Sequence, residues 1–301
     1  MTTFERYLAE EIAVDHADGL IERREALRRL GLLGLSLATA SALLAACAGD
    51  QGGTGEPAAT TPPAGTPATQ PGGAAVATQE ITFAGPEGRT LRGAWAAARQ
   101  TRGGVLVIHE NRGLNDHIRS VAGRLAASGY AALAIDLLSE EGGTAALGDE
   151  GQATAALNQA PPERFVADMR AGLDELGRRV PGKKLATTGF CFGGGMVWLL
   201  LASGEPRLAA AAPFYGPLPD GADFSGSKAA VLAIYGETDA RVNATRDAAR
   251  TALERAGLPH EIVTYAGAGH AFFNDTGPRY DQAAATQAYQ RVLDWFGRHL
   301  A

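Results

Sequence analysis

An α/β fold, built on a mainly parallel, doubly wound sheet with helices on both faces, is what this 301-residue sequence predicts. Three observations carry that expectation. From residue 79 onward, short apolar or β-branched runs alternate with longer helical patterns. Several of the runs are apolar throughout, as strands covered on both faces must be. Finally, Thr187-Thr188-Gly189-Phe190-Cys191-Phe192-Gly193-Gly194-Gly195 sets a glycine-flanked cysteine between one such run and an apolar helical stretch. That arrangement reads as a nucleophile elbow. A turn tight enough to raise one side chain above a sheet leaves no room for Cβ atoms two residues on either side, and Gly189 and Gly193 supply the gaps. The helix that follows aims its N-terminus at the sulfur, which favours thiolate, and the Phe192 amide is placed to donate to an oxyanion. A buried cysteine serving only as a small hydrophobe is the competing reading of the same pentapeptide.

Composition narrows the classes. The chain is 46% hydrophobic and 20% charged with a formal net charge of −6, which suits a soluble globular protein, and no basic run in its body suggests nucleic acid. Its two cysteines, Cys47 and Cys191, lie in segments with different jobs, which argues against a structural disulfide.

In chain order, residues 1–22 are polar, fit a short amphipathic helix and are not expected in the packed core. Arg23-Arg24 and Arg28-Arg29 then precede an uncharged apolar stretch, 30–46, that ends in Leu44-Ala45-Ala46-Cys47. A basic region, an apolar region and a small-residue cleavage site make residues 1–46 an export signal. The paired arginines resemble a twin-arginine signal and Leu44 to Cys47 a bacterial lipobox, whose cysteine is lipidated and becomes the new N-terminus. An uncleaved membrane anchor and a buried helix compete with this reading. The expected partners are the export machinery and, through Cys47, a membrane outside the cytoplasm. Residues 47–78 are Ala, Thr, Pro, Gly and Gln with almost no charge, a composition expected to remain a disordered tether.

The domain proper is predicted over 79–301. A hairpin, 80–83 with 91–96, turns at Pro86-Glu87-Gly88. Strands follow at 104–109, 131–137, 185–190, 209–215, 229–235 and 260–265. Helices are expected at 114–128, 162–179, 243–256 and 280–299. The stretch 139–161, rich in Gly and small residues, fits either a mobile lid or a surface loop.

Sites in such sheets lie beyond the carboxyl ends of the strands. Four loops there carry candidates: Glu110-Asn111-Arg112-Gly113, the elbow at Cys191, Gly236 to Val242 with Asp239 and Arg241, and Gly267 to Phe272 with His270. A cysteine nucleophile needs a base in reach and a third group to fix that base. His270, in a glycine-rich loop, is the best base, and Asp239 is placed to hold its other ring nitrogen. Asp239 fits a helix cap equally well. Glu110 fits either a role in the proton chemistry of Cys191 or a structural ion pair with Arg112 or Arg119.

Together His109-Glu110-Asn111-Arg112-Gly113-Leu114-Asn115, Gly189-Phe190-Cys191-Phe192-Gly193-Gly194, Tyr235-Gly236-Glu237-Thr238-Asp239 and Gly269-His270-Ala271-Phe272 resemble the dienelactone hydrolase (carboxymethylenebutenolidase) family over roughly 79–301. The resemblance implies an α/β-hydrolase fold and a Cys191-His270-Asp239 triad that cleaves small esters or lactones. It also implies that Glu110 helps to activate Cys191, that the amides of Asn111 and Phe192 form the oxyanion hole, and that no metal or organic cofactor is needed. Founding members hold the carboxylate of dienelactone with two arginines. Here Glu140 and Asn274 stand at those places, and a carboxylate would repel an anionic lactone. Arg112 and Arg241 are the candidate replacements for substrate binding, and the natural substrate stays open. The alternative from another class is a non-catalytic binding or accessory lipoprotein on a hydrolase scaffold.

Overall fold

One eight-stranded sheet organises the computed structural model of the chain, which describes residues 2–49 and 72–301. The strands are β1 Gln79–Ala84, β2 Thr90–Ala96, β3 Gly103–Ile108, β4 Tyr130–Asp136, β5 Leu185–Phe190, β6 Leu208–Phe214, β7 Ala230–Gly236 and β8 His260–Tyr265. Their spatial order is β1-β2-β4-β3-β5-β6-β7-β8. The β1–β2 hairpin and the β2–β4 pair are antiparallel, and every other pairing is parallel. Every residue of β3, β4, β5 and β7 is buried, which is why these strands read as continuous apolar runs.

Ten helices are described. Three precede the sheet: α1 Thr3–Ala17, α2 Arg23–Leu32 and α3 Leu37–Gly49. The others are α4 Asp116–Ala127, α5 Glu150–Gln159, α6 Pro162–Arg179, α7 Phe192–Ala202, α8 Ala240–Asn243, α9 Arg246–Arg255 and α10 Gln282–His299. Their boundaries follow local chemistry. Asn115 caps α4 by accepting from Ile118 N–H at 3.1 Å. Helix α6 opens on Pro162 with Glu163 in its first turn and closes on Arg178 and Arg179, complementing its dipole at both ends.

Three local differences from the sequence expectation have physical causes. The predicted helix 243–256 is two helices, because Asp239 starts a turn at once by accepting from Val242 N–H, and the chain re-enters a helix only at Arg246. The stretch 139–161 contains α5, capped by Asp149, whose small residues give little helical periodicity to read. It is anchored by Asp136, which accepts from Thr144 N–H at 2.7 Å and from its hydroxyl at 2.8 Å, and by Thr154, which donates to Asn111 O at 3.1 Å.

The third difference is the largest. Residues 1–22, expected outside the core, contain α1, whose Phe4, Tyr7 and Leu8 are buried in the main core. A second, smaller core joins α1, α2 and α3 through Ala9, Ile12, Ala13, Ala26, Leu30, Ala40 and Leu44. Burying one large apolar side chain contributes roughly 1.5–3 kcal/mol before ordering costs, so α1 is held by more than its charges. Its stripe at positions 4, 7, 8, 11, 12 and 15 is one helical face. Of the predicted tether, residues 50–71 lie outside the described residues; Cys47 lies within α3, and Val76 N–H donates to Gly123 O at 3.1 Å. Among the described residues no helix is long and apolar enough to cross a membrane.

The elbow packs backbone against backbone. A Cβ built on Gly193 would lie 2.4 Å from Ile108 O and 2.5 Å from His109 O, both backbone atoms of the neighbouring strand and its exit. Gly193→Ala should therefore cost about 2 kcal/mol or more through overpacking and strain. Thermal denaturation checks this; a variant melting within a degree of the parent would contradict it.

Candidate functional site

Cys191 sits where β5 turns into α7, with φ 56° and ψ −119°, a region that non-glycine residues rarely occupy. The surroundings hold it there. Cys191 N–H donates to Phe214 O at 3.1 Å, and Cβ atoms on Gly189 or Gly194 would come within 2.3 Å of the carbonyl oxygens of Gly193 and Phe214 respectively. Phe192 is the first residue of α7, so the helix N-terminus lies beside the sulfur. Cys191 is 3% exposed.

The loops after β7 and β8 lie backbone to backbone. Thr238 N–H donates to Ala268 O at 3.0 Å, and a Cβ on Gly236 would meet Gly269 O at 2.6 Å. This contact brings His270 over Asp239, whose Oδ2 is 2.6 Å from His270 Nδ1. Its Oδ1 accepts from Val242 N–H at 3.3 Å, so the two readings of Asp239, imidazole partner and helix cap, describe one residue doing both. Tyr215 packs its ring edge-on to the imidazole, with centroids 5.1 Å apart.

Between Cys191 and His270 stands a residue that the sequence did not single out. The Tyr7 hydroxyl donates to Cys191 Sγ at 3.1 Å and lies 3.2 Å from His270 Nε2. One turn along α1, Glu11 Oε2 is 3.5 Å from the same Nε2. With Asp239 taking the proton on Nδ1, the network assigns a proton to Nε2 as well, donated to the Tyr7 oxygen. The electrostatics agree. Burial pulls the His270 pKa down, but Glu11, Asp239 and Cys191 outweigh it and hold it well above the usual histidine value. Burial also pushes Glu11 up, yet His270, Arg241 and Arg279 bring its pKa down to about 2. Tyr7 is raised well above the ordinary tyrosine value, first by burial and then by Cys191 and Glu11.

The other predicted residues separate. Glu110 is buried and pairs with neither Arg112 nor Arg119: Asn274 Nδ2 donates to its Oε2 at 2.7 Å, and its Oε1 has no hydrogen-bond partner among the described residues. Arg112 instead meets Glu150 at 3.3 Å and Asp15 at 3.8 Å, and Arg119 meets Glu80 at 3.2 Å. Asn111, Arg112, Glu110, Cys191 and Asn274 line one small cavity of about 40 Å³ together with Glu11 and Arg279. Arg241 is not in that lining. It is paired to Glu11, donates to Tyr7 O at 3.0 Å and stacks 4.5 Å over the Tyr7 ring. Glu140 is also elsewhere. It pairs with Arg89 and Arg164 in a separate cavity of about 480 Å³ near the β1–β2 turn, so it is not the carboxylate facing a substrate at Cys191 that the sequence comparison suggested.

Glu11, Cys191 and His270 present O, S and N atoms within 4.8 Å of one another, a donor set that zinc accepts. Here the Tyr7 hydroxyl bonds two of them and Arg241 holds the third, so the cluster is satisfied by hydrogen bonds and ion pairs. His109, by contrast, is structural: its Nε2 accepts from Leu137 N–H at 3.1 Å and its Nδ1 donates to Glu110 O at 2.7 Å. Tyr7, Glu11 and Arg279 were missed because the signal was only an amphipathic stripe, and the arginines that meet Glu11 come from more than two hundred positions away.

The strand order, the elbow after β5, and the acid and histidine loops after β7 and β8 define an α/β-hydrolase. Residues 91–300 match the model of the dienelactone hydrolase family, and the chain belongs to that family of hydrolases. Similar relatives are presumed carboxymethylenebutenolidases of Salmonella typhimurium, 34% identical over 65% of this chain and 77% of the relative, and of Yersinia pestis, 35% identical over 65% and 78%. A crystal structure of a presumed dienelactone hydrolase from Klebsiella pneumoniae is similar with a TM-score of 0.64 and 30% identity, covering 74% of this chain and 99% of that one.

Because the folded-state pKa of His270 lies above its unfolded value, its pairings stabilise the protein fully below the unfolded value, and that contribution disappears as pH rises through the folded one. Glu11→Gln removes the foremost of the groups that raise it, so the His270 pKa should fall. Ring resonances of His270 followed by NMR through a pH titration give the measurement; an unchanged midpoint would refute the coupling.

Proposed function

We propose that the chain cleaves small carboxylic esters or lactones through a Cys191-His270-Asp239 triad. The single observation that carries this reading is the 2.6 Å contact between Asp239 Oδ2 and His270 Nδ1, made beside a cysteine held at positive φ on a strand-to-helix elbow. In the proposed reaction Cys191 Sγ attacks the acyl carbonyl carbon, and the negative charge moves to the carbonyl oxygen. The amides of Phe192 and Asn111 receive that charge. His270 then gives its Nε2 proton to the departing alkoxide, leaving an acyl thioester. Water adds to the thioester after His270 takes one of its protons, and the carboxylic acid leaves as the sulfur departs. Asp239 keeps the imidazole oriented and stabilises its charged form.

Glu110 lines the same cavity and accepts from Asn274 Nδ2 at 2.7 Å, and in this scheme it helps to activate Cys191, as the family resemblance implies. Of the two arginines the sequence suggested, Arg112 lines the same cavity as Cys191 and is the one to meet an acidic group on a substrate. The carboxymethylenebutenolidase description of the relatives fits an acidic lactone.

We further infer the organisation read from the sequence: an export segment over 1–46, a tether over 47–78 and the catalytic domain over 79–301, with lipidation at Cys47 fixing the enzyme to a membrane outside the cytoplasm. The basic pair at Arg23-Arg24, the uncharged stretch 30–46 and the small residues before Cys47 support it.

Two experiments test these readings. Mixing the processed protein, recovered from the membrane fraction of the producing cell, with a chromogenic ester should give a burst, with one acyl group on Cys191 by intact mass; Cys191→Ala should abolish the adduct, and Asp239→Asn should lower kcat about 10²–10⁴-fold. A folded Cys191→Ala protein with undiminished turnover would end the triad assignment and favour a binding protein. In the producing cell, Cys47→Ala should release the protein from the membrane fraction and remove the lipid mass from its N-terminal peptide; unchanged membrane association would refute the anchor.

A further inference from the structure

We propose that α1 is a built-in mask of the Cys191 site, its Tyr7 and Glu11 side chains filling the space between nucleophile and histidine where an acyl group would enter. The proposal rests on the hydrolytic reading above for what is being masked, and on separate observations for the mask itself.

The first is the position of Tyr7. Its hydroxyl is within hydrogen-bond distance of both Cys191 Sγ and His270 Nε2, the two atoms that must face a substrate for attack and proton transfer. A carbonyl carbon cannot approach Sγ along a path that this ring fills.

The second is charge. The acidic face of α1 and its C-cap engage the cations around the site: Glu11 pairs with Arg241 and lies 3.6 Å from Arg279, Asp15 lies 2.9 Å from Arg279 and 3.8 Å from Arg112, and the C-cap Asp18 lies 2.7 Å from Arg279. Glu11 and Asp15 are each only 4% exposed. Buried carboxylates are tolerated only when paired in this way, so the docked helix is specified by side chains that lie on the catalytic face.

The third is space. The cavity left beside Cys191 is about 40 Å³, room for about one water molecule, whereas a small-molecule site typically offers about 300 Å³ or more.

The fourth is where α1 lies in the chain. Cys191, Asp239 and His270 all fall within the 91–300 family match, while α1 lies outside it, so the family's shared part contains the site without the helix. Helix α1 also precedes Arg23-Arg24 and the apolar stretch 30–46. Cleavage ahead of Cys47 would remove α1 from the chain, and a protein folded before export would keep its thiol covered until that cut.

The test uses the full chain. Iodoacetamide labelling is followed by peptide mass at Cys191, with Cys47 as the internal reference, alongside turnover of a chromogenic ester. In the parent, Cys191 should label at least 100-fold more slowly than Cys47. Glu11→Lys, which sets a cation against Arg241 and Arg279, and Leu8→Asp, which charges a fully buried position, should each undock α1. Both should raise the Cys191 labelling rate at least tenfold, with turnover rising in parallel. Glu10→Lys, the same charge reversal one residue away and not a partner of Arg241 or Arg279, should match the parent. Circular dichroism confirms that the domain remains folded.

Rapid labelling of Cys191 in the parent would overturn the mask, whatever the variants do. So would unchanged labelling in both folded variants, and this result with ester turnover intact would leave the hydrolytic reading standing. Turnover lost in both variants but present in the parent would make α1 a working part of the site and likewise refute masking. Faster labelling with no turnover in any form would uphold the mask and count against ester hydrolysis.

Discussion

The close approach of four backbone segments at the elbow is the constraint on which the rest of the site depends. The exit of β3, the turn at Cys191, the first residues of α7 and the end of β6 come so near one another that Cβ atoms at Gly189, Gly193 and Gly194 would each lie within about 2.4 Å of a carbonyl oxygen. Only glycine fits there. Because the strands are fixed by complete burial on both faces, the chain cannot relax this crowding by moving apart, and Cys191 is kept at a positive φ that a free chain would avoid. A strained residue whose sulfur stands at the head of a helix is the outcome of packing, and its chemical use follows from what the neighbouring loops bring to it.

Those loops are positioned by the same economy. The β7 and β8 exits touch through backbone atoms, which leaves Asp239 one oxygen for His270 and one for the first turn of α8. A carboxylate with both oxygens engaged has a defined orientation, and so does the imidazole it holds. Glu110 contrasts with this: among the described residues only one of its oxygens has a partner, the amide of Asn274. The arginines follow another logic. Arg112, Arg241 and Arg279 surround the mouth of the site, and each is neutralised at least in part by carboxylates of α1. The acidity of this one helical face and the basicity around the site are complementary in sign and in place.

The elements of the sheet and the elbow were legible because their signals are local. A strand buried on both faces must be apolar along its whole length, and a strand-to-helix turn needs small residues at fixed offsets, so 185–190 and Gly189-Phe190-Cys191-Phe192-Gly193 announce themselves without reference to any partner. The order of cysteine, aspartate and histidine along the chain, each after its own strand, is likewise a property of sequence. Helix α5 was hidden for the opposite reason. Its Ala- and Gly-rich pattern carries little periodicity, and its place is set by Asp136, Thr144 and Asn111, contacts made across the fold.

By itself, the sequence determined the family, the sheet, the elbow glycines and the residue types gathered at the strand ends, because each of these is encoded within a few residues or in chain order. Tertiary structure decided the rest. That Glu110 binds Asn274 and not an arginine, that Glu140 belongs to another cavity, and that Tyr7 and Glu11 stand against Cys191 and His270 are facts about pairs separated by 24 to more than 260 residues. A charged or polar side chain announces its need for a partner but not which partner it takes. Only the folded chain, by excluding water from Glu11 and Arg241 together, makes that choice.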